Sequence, residues 1–189
     1  MADQRLAVKS MVNYYEVLSK PRSPLMPNYK GLYRVGPLPQ SNESNRFLSL
    51  WQRYAQHADK NPGVTTELSI DELHEFANLA TQQTGDYYEV IFFSESFECP
   101  HRADYYGIDV VGFGGYSMVG EGFFAQSESH LYDLLNRHFM AQLNSSGLFS
   151  AIEDASIFRG VLNDLNRLSP GCVEQEDWRI VHVFNVTRG

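Results

Sequence analysis

The run Tyr87-Tyr88-Glu89-Val90-Ile91-Phe92-Phe93 constrains this chain more than any other stretch. Side chains of a β-strand point alternately to opposite faces, and here both faces are apolar except at Glu89. A strand without a wet face needs cover on both sides, so the run predicts a central strand with packed layers above and below it. It opens the segment Asp86–Phe124, which also holds six of the fourteen glycines, one of the two cysteines and a cluster of carboxylates.

The remaining elements follow from period and punctuation. Met11 to Leu18 alternates as a strand, with Val12, Tyr14 and Leu18 to one side. Pro21, Pro24 and Pro27 then exclude regular structure, and a second short strand is expected over Gly31–Val35. Residues 19–40 are expected to form a proline-rich, weakly basic loop or arm. Phe47, Leu50, Trp51, Tyr54 and Ala58 recur at helical spacing, predicting a helix over Ser41–Ala58. Ser69 with Glu72 is the capping-box pattern, and Ile70, Leu73, Phe76, Ala77 and Ala80 form the apolar stripe behind it. Tyr106–Phe113 and Tyr116–Val119, joined by Gly114-Gly115, predict a hairpin, because glycine accepts the positive φ of a two-residue turn. A helix over Glu128–Leu143 should bury Leu131, Leu134, Leu135, His138 and Phe139. A second capping box, Ser150 with Glu153, should start a helix burying Phe158, Val161, Leu162, Leu165 and Leu168. The last strand, Trp178–Val186, sets Trp178, Ile180, His182, Phe184 and Val186 on one face. Tyr-Tyr-Glu-Val occurs at Tyr14 and again at Tyr87, which reads as coincidence or as two similar strands, not as a repeat architecture. The order of elements gives an α+β fold: a mostly antiparallel sheet with about four helices packed against it, in a single domain over 1–189.

Charge placement narrows the function. Residues 1–63 carry nine Lys/Arg and four Asp/Glu, whereas residues 64–189 carry six Arg, no Lys and nineteen Asp/Glu. The densest part, 64–133, sets thirteen carboxylates against Arg102 alone. Nucleic-acid binding needs a basic footprint, so this body argues against it and for a basic protein partner. No apolar run approaches the roughly eighteen residues of a membrane span. The N-terminus lacks the layout of a signal peptide, and two cysteines without one read as reduced thiols, so the expected location is cytoplasmic.

Candidate chemistry is sparse. Cys99-Pro100-His101, with Asp104 nearby, has no recognised ligand spacing, and a small buried cysteine beside a surface histidine explains it better than a metal or thiol site. Cys172 stands alone. His182 and His138 lie on apolar faces and read as hydrogen-bonded core histidines, and His74 reads as a boundary residue. The glycines of 107–122 have neither a Walker lysine nor the G-x-G-x-x-G spacing, and Asp104, Asp109 and Glu121 around them would repel phosphate. No cofactor and no metal site is expected.

Two resemblances bear on activity. Arg34 in Gly-Leu-Tyr-Arg-Val-Gly, Ser94-Glu95-Ser96 after an apolar strand, and Glu174-Gln175-Glu176 before the last strand come in the order seen in arginine–serine–glutamate ADP-ribosyltransferases. That resemblance implies an enzyme in which Arg34 and Ser94 help hold NAD and Glu176 orients the attacked group. The middle residue of the serine motif is Glu where that family has Thr. Tyr106-Gly107-Ile108-Asp109-Val110 with Gly115-Tyr116-Ser117 resembles the hairpin of acidic bacterial immunity proteins of polymorphic toxin systems. This second resemblance implies a non-catalytic inhibitor that plugs the active site of a basic toxin, and it agrees with the carboxylate excess. The expectation is therefore a binding protein rather than an enzyme, with Glu95, Glu98, Asp104, Tyr105, Asp109, Tyr116 and Glu121 as its contacts: carboxylates to steer association and tyrosines to anchor it.

Overall fold

The computed structural model describes residues 13–19, 44–58, 67–111, 138–168 and 178–188. They form an α+β structure built on a four-stranded antiparallel sheet: β1 (Asn13–Ser19), β2 (Tyr88–Ser94), β3 (Ala103–Val111) and β4 (Arg179–Val186), in the order β1-β2-β4-β3. The helices are α1 (Asn45–Ala58), α2 (Ile70–Thr84) and α3 (Ile152–Leu168), and residues 138–140 are also helical.

The apolar run does form an interior strand. β2 pairs with β1 from Ser19↔Tyr88 to Asn13↔Ser94, and with β4 from Ile91↔Asn185 to Ser94↔His182. Tyr88, Val90 and Phe92 face a core shared with Phe47, Leu50, Leu73 and Phe76 of α1 and α2. Ile91 and Phe93 face a second core with Tyr14, Leu18, Val181 and Val183. The two Tyr-Tyr-Glu-Val copies therefore lie on neighbouring antiparallel strands.

Helices α1 and α2 start where local hydrogen bonding stops the preceding chain. Ser69 is extended (φ −66°, ψ 162°), and its hydroxyl accepts from the Glu72 amide at 3.2 Å while the Glu72 carboxylate accepts from the Ser69 amide at 3.0 Å. That is the capping box the spacing predicts. The helix ends at Gly85, which takes the left-handed φ of 75° and donates its amide to the Thr81 carbonyl. Helix α1 begins at Asn45 and not at Ser41, because the Ser44 hydroxyl caps the Phe47 amide. Arg46 binds Glu75 and Arg53 binds Glu72, tying α1 to α2, and the Tyr54 hydroxyl accepts the Val17 amide on the side of β1 away from β2. An edge strand with an outward amide covered in this way is a poorer template for pairing with another chain.

Helix α3 corrects one expectation. Its first residue is Ile152, which places Ala151 at the N-cap and Ser150 one residue too early for a capping box. Glu153 and Asp154 in the first turn and Arg167 in the last still suit the helix dipole. Ala155, Phe158 and Leu162 pack on Ile108, Val110, Trp178, Phe139 and Phe149. His138 is exposed, contrary to the expected apolar placement, and helical structure stops at residue 140, three residues before the expected Leu143.

β3 begins at Ala103, three residues earlier than expected, because its partner β4 runs on to Val186 opposite it. Its register shifts between Tyr105 and Gly107, a bulge that leaves Tyr106 outside the ladder. Residues 143–149 close the free side of β3: Ile108 and Phe149 exchange two backbone hydrogen bonds of 2.9 Å. Asn144 builds that segment. Its Nδ2 donates to the Tyr106 carbonyl at 2.7 Å, and its Oδ1 accepts from the amides of Ser146 (2.8 Å) and Leu148 (3.2 Å). Gly107 sits beneath it with φ 145°, and a Cβ there would lie 2.8–2.9 Å from Asn144 Nδ2, Leu148 Cβ and the Phe149 carbonyl oxygen. The expected Gly31–Val35 strand, the Gly114-Gly115 hairpin and most of the 128–143 helix lie outside the described residues. No helix among the described residues is long and apolar enough to cross a membrane.

Candidate binding face

One face of β4 carries Trp178, Ile180, His182, Phe184 and Val186 in alternation. Phe184 and Val186 belong to the core under α1 and α2, while Trp178 and Ile180 belong to the core under α3. His182, between them, belongs to neither. The two helical layers thus leave a stretch of sheet open, and the irregular segment after β2 lays Phe97 over it.

Phe97 is 66% exposed, yet its ring is fixed on three sides. It packs edge-on against Tyr105 (centroids 4.9 Å, 73°) and His182 (5.1 Å, 79°), and at 5.9 Å from Phe184. Tyr105, 42% exposed, adds a 3.1 Å hydrogen bond between its hydroxyl and His182 Nδ1, whose direction the His182 tautomer sets. Burial holds the His182 imidazole below its ordinary pKa and pushes the Tyr105 phenol up. Rings in edge-to-face contact stabilise one another beyond their buried area, so this is a preorganised surface and not a loose side chain.

Beside Phe97 opens a cleft of about 720 Å³, with Tyr15, Phe92 and Phe97 as its aromatic walls. Asn13, Ser94, Ser96 and Glu98 supply its polar groups, and Cys99 and Pro100 complete it. Tyr15 packs at 4.7 Å on Phe92 with its ring tilted by 33°, and burial, reinforced by Cys99, pushes its phenol up to about 12, so it stays protonated at neutral pH. The Ser94 hydroxyl is turned inward: Ser94 is 1% exposed, its oxygen accepts from the Ser96 amide at 3.1 Å and bonds the Ser96 hydroxyl at 3.0 Å. That is the chemistry of a local turn, not of an activated nucleophile. Cys99 is a free, half-buried thiol. Among the described residues no group of three or more His, Cys, Asp or Glu could hold a metal ion.

The residues expected as contacts are dispersed. Tyr105 lies within the aromatic face, and Glu98 is exposed at the rim of the cleft beside it. Asp104 is exposed on β3, opposite Asn185. Glu95 is half-buried and engaged by Arg179 at 3.2 and 3.3 Å. Asp109 is 2% exposed, and its Oδ1 accepts from the Val110 amide, so its carboxylate is not offered to a partner. Tyr116 and Glu121 lie outside the described residues, as do Arg34 and Glu176. Phe97, His182 and Tyr15 were not anticipated. The available signal was at Phe97, a lone aromatic in Ser94-Glu95-Ser96-Phe97-Glu98, where polar neighbours on both sides leave it no apolar stripe to join.

No protein-family model matches the chain, and comparison with curated proteins and with solved structures gives no significant match. The function therefore rests on the chemistry of this face.

Proposed function

We propose that the protein is a non-catalytic binding module that docks a basic partner protein on the Phe97–Tyr105 face, in the way an immunity-type inhibitor seats on a toxin. The carrying observation is Phe97: a large aromatic, two-thirds exposed, held in one orientation by Tyr105 and His182. Preorganised aromatics at the centre of an interface dominate its energetics, since little side-chain entropy remains to be lost on binding. The acid excess of 64–133 supplies complementarity to a basic surface and speeds encounter. The transferase alternative has less support, because Ser94 is enclosed and hydrogen-bonded within its own turn.

The test is capture of partners with the wild-type chain and with Phe97→Ala as paired baits, at low and high salt. A basic protein retained by wild type, lost by the variant and weakened by salt supports the reading, since truncating a central aromatic typically costs about 2 kcal/mol of binding. A partner of no particular charge, indifferent to both changes, refutes it.

A further inference from the structure

We infer that the cleft beside Phe97 takes an arginine side chain of that basic partner, its guanidinium against the aromatic walls and its charge on Glu98. The inference rests on the binding reading above and names the residue type that the site selects.

Three features of the cleft favour a cation. Its walls are the rings of Tyr15, Phe92 and Phe97, whose faces are electron-rich. Its mouth carries Glu98, which is exposed and forms no ion pair or hydrogen bond with the described residues. Its remaining polar lining residues, Asn13, Ser94 and Ser96, are neutral and bring no positive charge.

The chain shows what its own carboxylates bind. Glu72 holds Arg53, Glu75 holds Arg46 and Glu95 holds Arg179, each by more than one side-chain hydrogen bond. Glu98 repeats that chemistry at an aromatic wall without an arginine from the described chain. Arginine fits better than lysine for geometric reasons. A planar guanidinium stacks on a ring and still presents N–H donors in its own plane, whereas a lysine ammonium is a strongly hydrated point charge. The 720 Å³ of the cleft falls in the ordinary range for a ligand site, with room for the whole side chain and water around it.

The experiment uses fluorescein-labelled hexa-arginine and hexa-lysine peptides, titrated with the full chain at low ionic strength and read by anisotropy. Hexa-arginine should bind more tightly than hexa-lysine. Phe97→Ala should weaken hexa-arginine about 5-fold and hexa-lysine less than about 2-fold, the difference being the ring's contribution. Glu98→Gln, which keeps the shape of the cleft, should weaken both. Equal affinity for the two peptides, or equal loss of both in Phe97→Ala, overturns the arginine site in favour of diffuse charge attraction. If the captured partner still depends on Phe97 in that case, the binding reading survives without the arginine. A partner indifferent to Phe97 removes both.

Discussion

Asn144→Ala is the sharpest test of how the free side of β3 is held. The substitution deletes three hydrogen bonds from one side chain: a donor to the Tyr106 carbonyl and an acceptor for the Ser146 and Leu148 amides. Tyr106 is the bulged residue, so no β4 partner in the ladder replaces the lost bond. A hydrogen bond contributes about 1 kcal/mol net, and a group left buried without a partner costs more than that. Asn144 is only half-buried and water recovers part of the loss, which leaves an expected destabilisation of about 2–3 kcal/mol. In urea, with a slope of about 2 kcal/mol/M, the unfolding midpoint should fall by roughly 1–1.5 M at unchanged slope. Asn144→Asp keeps both acceptor bonds but sets a carboxylate oxygen where the donor faced the Tyr106 carbonyl, so its loss should be larger at neutral pH than in acid, where the protonated carboxyl donates again. A loss below about 0.5 kcal/mol for the alanine variant would refute the view that Asn144 organises the segment.

Further expectations use the same measurements. Gly107→Ala combines a φ of 145° with contacts of 2.8–2.9 Å and should cost at least about 3 kcal/mol, whereas Gly85→Ala, strained at φ 75° but in open space, should cost about 1 kcal/mol. Gly160→Ala, exposed in α3 with nothing near its Cβ, should stabilise by about 0.5–1 kcal/mol; urea midpoints of the three variants should rank in that order. His74 and His182 are both held below the ordinary 6.5, first of all by burial, so the unfolded chain binds protons more readily. Their stabilisation is full above pH 6.5 and is lost as pH falls through the folded pKa values; melting temperatures that rise on acidification from pH 7 would contradict this. Arg53 and the Ser69 amide hold Glu72 down to about 2, so its contribution is present above 4.5 and disappears toward pH 2; Glu72→Gln should flatten that part of the melting curve against pH. Phe97→Ala, at a largely exposed position, should change stability by less than about 1 kcal/mol, separating its binding role from any structural one.

The sequence revealed those parts of the fold in which local chemistry and tertiary demand agree. The apolar pattern of 87–93 is incompatible with an edge position, and Ser69 with Glu72 satisfies two helix-end amides without outside help, so both are found where expected. Ser150 with Glu153 has the same letters, but packing starts α3 at Ile152, and a cap displaced by one residue is no cap. Ala103 and Asp104 precede the strand expected from Tyr106 and become strand because β4 is long enough to pair with them. The site was less legible because its members are ordinary core residue types in extraordinary positions. Phe97 and His182 come together only through the gap between two helical layers, which no local pattern encodes. Asp109 misled in the opposite sense: a carboxylate in a predicted hairpin is expected to meet a partner, and it is enclosed instead.

The strand order carries a consequence for how the molecule assembles. β4 lies between β2 and β3, and each of its ladders joins residues far apart in sequence, such as Ile91 with Asn185 and Val110 with Ile180. Until β4 arrives, β1 and β2 can pair, but among the described strands β3 has no other neighbour, and the flank of β2 that β4 pairs with is bare. Long-range pairing of this kind is slow, because chain entropy is lost before the contacts compensate for it. An unpaired Val90-Ile91-Phe92-Phe93 edge is prone to self-association during that interval. The acidic charge concentrated between 64 and 133 flanks that edge in sequence, and mutual repulsion between unfinished chains would keep them apart until the last strand closes the gap.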